Sequence, residues 1–153
     1  MKRLFLLVLL CVFSLALLSC GSQSKSNPGA DVSGNWNVLL TEAGQTAPSY
    51  AFGLNFTKNT TTINGTEIAY TGATQFNTGC INYGGLTATG NTNGGSDITL
   101  HVNDPSTSSS FTLTGTANSS VTEIDMTFTA TFGANGGNPA CPAASGTAVL
   151  TRQ

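Results

Sequence analysis

The chain has 153 residues, of which 8% are charged, with a net charge of −2, 18 glycines and four cysteines. Five lysines and arginines cannot line a phosphate backbone, so the composition excludes a nucleic-acid binder. An acidic disordered tail is excluded too, because 39% of the residues are apolar and the length suits one folded domain.

At the N-terminus, Lys2 and Arg3 precede an apolar stretch of about 15 residues that ends in small side chains, the pattern of a secretory leader. A membrane-spanning helix needs roughly 20 apolar residues, and the polar run from Gly21 begins at once. Leu17, Leu18, Ser19 and Cys20 resemble the lipobox of bacterial lipoproteins. That resemblance implies cleavage before Cys20 and attachment of palmitate-class acyl chains to it. Each buried methylene would contribute about 0.8 kcal/mol to membrane anchoring. Gly21, standing where an inner-membrane retention aspartate would be, implies the outer membrane of a diderm bacterium. The expected organisation is a leader over 1–19, a Ser-, Asn- and Gly-rich tether over 20–31, and a folded domain over 32–153. Past the leader, Lys25, Lys58 and Arg152 face seven acids, so attraction to anionic lipid adds nothing to the anchor.

The folded part alternates with period two, apolar on one face and Thr, Asn or Ser on the other. Trp36, Val38 and Leu40 open the series, followed by Tyr50, Phe52, Leu54 and Phe56. A third strand is expected in INGTEIAY, where the apolar parity switches between Ile63 and Ile68, implying either a tight hairpin near Asn64 and Gly65 or a bulge. GLTATGN, then Ile98, Leu100 and Val102, then Phe111 and Leu113 continue the pattern. The longest run carries Ile124, Met126, Phe128, Ala130 and Phe132, and GTAVLTR closes the chain. Turn residues at 91–95, at 118–120 and around Pro105 separate neighbours. The expected fold is all-β: an eight-stranded antiparallel up-and-down barrel, with a two-sheet β-sandwich as the alternative.

Gly34 and Trp36 on the first strand, with Arg152 at the end of the last, resemble the signature of the calycins, the group of lipocalins, fatty-acid-binding proteins and avidins. The resemblance implies a closed barrel in which the guanidinium packs over the indole where the last strand meets the first. It also implies that a small ligand could sit inside. Trp36 is the only tryptophan, so the tryptophan cage that encloses biotin in avidins is missing.

Cys80 and Cys141 are the cysteines left once Cys11 and Cys20 are assigned to leader and anchor, and in an oxidising compartment a disulfide between them is expected. Closing a loop of about 60 residues would contribute roughly 4 kcal/mol. Catalysis is not expected. His101, the sole histidine, shares a face with Thr99 and Asn103, which places it in water. Asp97, Asn103 and Asp104 could form a weak calcium site, but turn formation explains them more simply. No metal or cofactor is expected. Asn55, Asn59, Asn64 and Asn118 begin Asn-x-Ser/Thr triplets that a Thr- and Asn-rich chain produces by chance. The Gly-rich segment 133–146 reads as a rim loop held by Cys141.

The remaining chemistry is the apolar interior. Tyr50, Phe52, Phe56, Tyr70, Phe111, Phe128 and Phe132 would line it, and small inward residues at Ala88, Gly90, Gly115 and Ala130 would leave room for a small apolar or amphipathic ligand. The leading expectation is therefore a lipid-anchored envelope protein that binds such a ligand noncovalently. The alternative is a surface module with a filled core, whose Thr- and Asn-rich outer face meets glycan or protein.

Overall fold

Each alternating segment forms a strand: β1 (Gly34–Glu42), β2 (Tyr50–Asn59), β3 (Thr62–Ile68), β4 (Thr87–Thr92), β5 (Asp97–Asp104), β6 (Ser109–Ala117), β7 (Glu123–Thr131) and β8 (Ala144–Arg152). The computed structural model describes residues 29–72, 79–117, 121–134 and 141–153. The leader, Cys20, the tether to residue 28, Asn118 and the middle of the 133–146 loop lie outside the described residues. All neighbouring strands are antiparallel, and β8 pairs back onto β1 from Trp36 opposite Arg152 to Glu42 opposite Gly146, so the sheet is a closed up-and-down barrel. Closure removes the edge strands that a chain with so few charges could not protect.

Every register runs without interruption, including β2 with β3 from Asn59 opposite Thr62 to Gly53 opposite Ile68. The parity switch between Ile63 and Ile68 is therefore neither a hairpin nor a bulge. Ile63 is buried inside, and Ile68 is half-buried on the outer face at the point where the chain leaves the wall. From there residues 69–72 cross the outside of β2 to reach β1, where Thr71 donates its backbone N–H to Asn37 Oδ1 (3.1 Å) and accepts from Asn37 Nδ2 at its hydroxyl (2.9 Å). Gly53 is what lets this crossing lie flat, since a Cβ there would stand 2.7 Å from the carbonyl oxygens of both Ile68 and Ala69. The crossing also explains why β2 is buried continuously from Tyr50 to Leu54 instead of alternating.

Glycines on β4, β6 and β8 sit hard against the next strand. A Cβ on Gly90, Gly115 or Gly146 would meet a neighbouring-strand carbonyl oxygen at 2.2, 2.3 or 2.0 Å, belonging to Thr99, Asp125 and Thr41 respectively. Such close approach is how a barrel wall bends without a bulge. The space beside two of these glycines is already occupied: Leu100 Cδ2 lies 2.8 Å from the Cβ position of Gly90, and Met126 Cγ 2.7 Å from that of Gly115. Gly90 and Gly115 thus accommodate neighbours and do not hold a vacancy.

One end of the barrel, the base, receives the N-terminal residues 29–33 and the C-terminal Arg152. Residues 29–31, expected in the tether, dock there: Ala30 packs against the core and donates its N–H to the Gly95 carbonyl (3.2 Å). The other end, the rim, carries the long connections 69–86 and 132–143.

Candidate functional site

At the base, Trp36 is fully buried and donates its indole N–H to the Val32 carbonyl (2.8 Å). The Arg152 guanidinium carbon lies 4.7 Å from the centroid of the indole. Its nitrogens donate to three carbonyls: Nη1 to Ser33 (2.7 Å), Nη2 to Asp31 (3.1 Å) and Nε to Val121 (3.0 Å). Gly34 has φ of 120° and leaves the space that Nη1 needs, since a Cβ there would stand 2.9 Å from it. The three residues expected to meet do meet, and they seal this end.

Six of the seven aromatic residues expected to face inward are buried: Tyr50, Phe52, Phe56, Phe111, Phe128 and Phe132. Five of them pack on one another. Phe111 lies with its ring centroid 5.6 to 6.3 Å from those of Tyr50, Phe52, Phe128 and Phe132. Phe56 fills the space above Gly65, its Cδ1 2.8 Å from the Cβ position there. Side chains of this size at these separations make a core. Tyr70 is placed elsewhere: it follows β3 on the crossing segment, is half-buried and stands outside the buried cluster. Tyr50 alone carries a polar group into the cluster, donating its hydroxyl to Glu42 Oε1 (2.6 Å). Burial, with Glu42 adding to it, pushes this phenol far above its ordinary range, so it stays protonated.

The rim is built from loops. Cys80 and Cys141 are joined by a disulfide across 61 residues of sequence, with Cα atoms 5.7 Å apart. Beneath it Asp104, only 2% exposed, accepts from the backbone of Asn82 (2.8 Å) and Ser106 (2.9 Å) and from the hydroxyls of Ser106 (2.6 Å) and Thr107 (2.7 Å). Burial raises its pKa, but these hydrogen bonds outweigh it and hold the carboxyl below the usual range. The Thr107 hydroxyl oxygen also lies 2.7 Å from that of Ser109, which donates to the Cys80 carbonyl (3.3 Å) and accepts from the Gly133 N–H (3.1 Å). Asp104 is thus fully engaged in structure. Asp97 stands at the opposite end of β5, so the two cannot share a cation. Among the described residues no group of three or more His, Cys, Asp or Glu could hold a metal. His101 is exposed on the outer wall beside the Thr112 hydroxyl, 3.2 Å away.

The concave feature nearest the crossing segment is a cleft of about 460 Å³ on the outside of the barrel, bounded by β2, by the end of β3 and by residues 83–87. It is lined by Glu67, Tyr70, Tyr83, Gly84, Gly85 and Thr87 among others. Gly84 and Gly85 have φ of 148° and 130°, which turns three successive backbone N–H groups toward one point. Glu67 Oε2 occupies that point, accepting from Gly84 (2.9 Å), Gly85 (2.6 Å) and Leu86 (2.8 Å). Tyr83 packs its ring against Phe52, with centroids 6.4 Å apart. Burial raises its hydroxyl to about 12, although a backbone hydrogen bond with Ala51 pulls the other way.

Sequence reasoning missed Glu67 and Tyr83. The only local signal was the Gly84-Gly85 pair, which marks a turn but says nothing of the carboxylate it would embrace 17 residues away. No family model, curated protein or solved structure matches the chain.

Proposed function

We propose that this protein is a lipid-anchored envelope lipoprotein, a binding module rather than an enzyme, whose barrel is a filled scaffold and whose outer wall and rim meet its partner. Of the two functional expectations, the surface module is the one the packing favours. The observation that carries it is the interior: the rings that would have touched an enclosed ligand touch each other. The barrel is still the architecture of a ligand-binding barrel, and an apolar ligand would have to part Phe111 from its four neighbours to enter. The calycin likeness is supported by the meeting of Gly34, Trp36 and Arg152 and by the strand count, and it concerns how the base is sealed.

The anchor reading rests on the leader and on Leu17-Leu18-Ser19-Cys20. With acyl chains on Cys20, residues 20–28 would span at most about 30 Å, and Gly29, which follows them, lies at the base. The rim and the cleft beside it would then face away from the outer membrane, toward glycan or protein, with no role for nucleic acid. Cell fractionation with mass spectrometry tests the anchor. Wild type should sediment with membranes and carry acylated Cys20 as its first residue, and Cys20→Ser should appear in the soluble fraction. An unmodified N-terminus beginning at another residue would overturn it.

A further inference from the structure

The outer cleft is built with more care than a passive surface requires, and its construction limits what it can hold. Among the described residues, Glu67 is the single charged side chain in its wall. Every described hydrogen bond to that carboxylate falls on Oε2, from three amides, which fixes the group's orientation and disperses its charge. Oε1 remains as an acceptor whose position those three hydrogen bonds fix. An anionic ligand would meet this carboxylate with no cation to balance either charge. A purely apolar ligand would strip water from Glu67 and from the hydroxyls of Thr66 and Thr87, leaving polar groups unpaired at a cost of about 1 to 3 kcal/mol each.

The aromatic groups complete the pattern. The Tyr83 ring is braced from behind by Phe52. Tyr70 lies back over Gly72, where a Cβ would come within 2.0 Å of its hydroxyl oxygen, so the absence of a side chain at 72 is what makes room for the ring. Two aromatic rings, a fixed acceptor and flanking hydroxyls suit a ligand that is neutral, rich in hydroxyl donors and apolar on one face. That is the chemistry of a pyranose. The cleft falls within the range of small-ligand sites, about 300 to 1,000 Å³.

We propose that this cleft binds a neutral saccharide, with Glu67 Oε1 accepting from ligand hydroxyls and Tyr70 stacking on a sugar face. The assignment rests on the filled-barrel reading above and narrows it from surface module to glycan binder. The test is calorimetric titration of the mature full-length protein, in a polyoxyethylene detergent to keep sugar headgroups out, with maltotriose, cellotriose, chitotriose and tetramethylammonium chloride. At least one trisaccharide should bind one to one, and Tyr70→Ala should weaken it about tenfold or more. Tyr70 stands outside the core, so this variant should fold, and unchanged Trp36 emission from the base will verify that it has. Silence with all three trisaccharides, equal affinity in Tyr70→Ala, or binding of tetramethylammonium in their place would each overturn the assignment. An apolar dye run alongside separates the two layers. If sugars and dye are both refused, the saccharide assignment falls alone; if the dye binds one to one, the filled-barrel reading falls with it.

Discussion

At the base of the barrel an indole, a guanidinium and three backbone carbonyls close the interior; at the rim a buried carboxylate, a set of hydroxyls and a disulfide do so. The base joins the two ends of the domain, with Arg152 reaching back to Asp31 and Ser33. Its apolar part is one large ring at 0% exposure. The rim joins loops that bury Ile81, Leu86 and Phe132 and adds to that burial a hydrogen-bonded network and a covalent link. Burial tolerates little truncation, whereas a polar network depends on every member being present and in the right protonation state. The two ends should therefore fail under different stresses, the base to loss of volume and the rim to reductant and acid.

The largest effect should come from Trp36→Ala. Removing a buried aromatic leaves a cavity and costs about 3 to 5 kcal/mol, read as a lower midpoint in urea unfolding. A loss below about 1 kcal/mol would mean that the base is not a packed seal. Replacing Cys80 and Cys141 together by Ser should cost about 4 kcal/mol by freeing the 61-residue loop in the unfolded state. Because the link is at the rim, native Trp36 emission should not change. A shifted emission spectrum in the folded variant would show that rim and base are coupled.

Asp104→Asn should cost about 1 to 3 kcal/mol, since an amide cannot accept four hydrogen bonds in place of the carboxylate. The pH dependence follows from the sign of the shift. The folded pKa lies below the ordinary value of 3.8, so its contribution is fully present above that value and is lost as pH falls through the folded pKa. Wild type should lose stability more steeply than Asp104→Asn below about pH 4. Parallel acid limbs would remove Asp104 from the account. The smallest effect belongs to Arg152→Ala, about 0.5 to 2 kcal/mol for the stacked cation, with a change in Trp36 emission. An unchanged spectrum would contradict the stacking.

The base was legible in the sequence because its parts are distinctive residues on strands, and strand position follows from alternation. Trp36 shares parity with Val38 and Leu40, and once the barrel closes Arg152 has to lie opposite it. The disulfide was legible by elimination. The polar rim was not, because Asp104 in Asn-Asp-Pro-Ser looks like any turn aspartate, and only the fold brings the Asn82 amide to it. Ile68 and Tyr70 were misplaced for a related reason. Placing Tyr70 inward follows the switched parity of Ile68, as if a bulge or hairpin had turned that face into the wall, whereas the register runs on unbroken and the chain then crosses over β2, a course permitted by Gly53 on another strand. Gly90 and Gly115 were read as room because sequence records which side chains are missing, not which neighbours fill the space.

The central claim, that the barrel interior is packing and not a pocket, is tested most directly by an environment-sensitive apolar dye titrated into wild type and Phe111→Ala. Phe111 touches four of the other rings. Wild type should show no saturable uptake, and Phe111→Ala, about 3 to 5 kcal/mol less stable, should acquire it as the cavity opens. Stoichiometric uptake by wild type, weakened by Phe111→Ala with little loss of stability, would contradict the account and restore the interior as a ligand site.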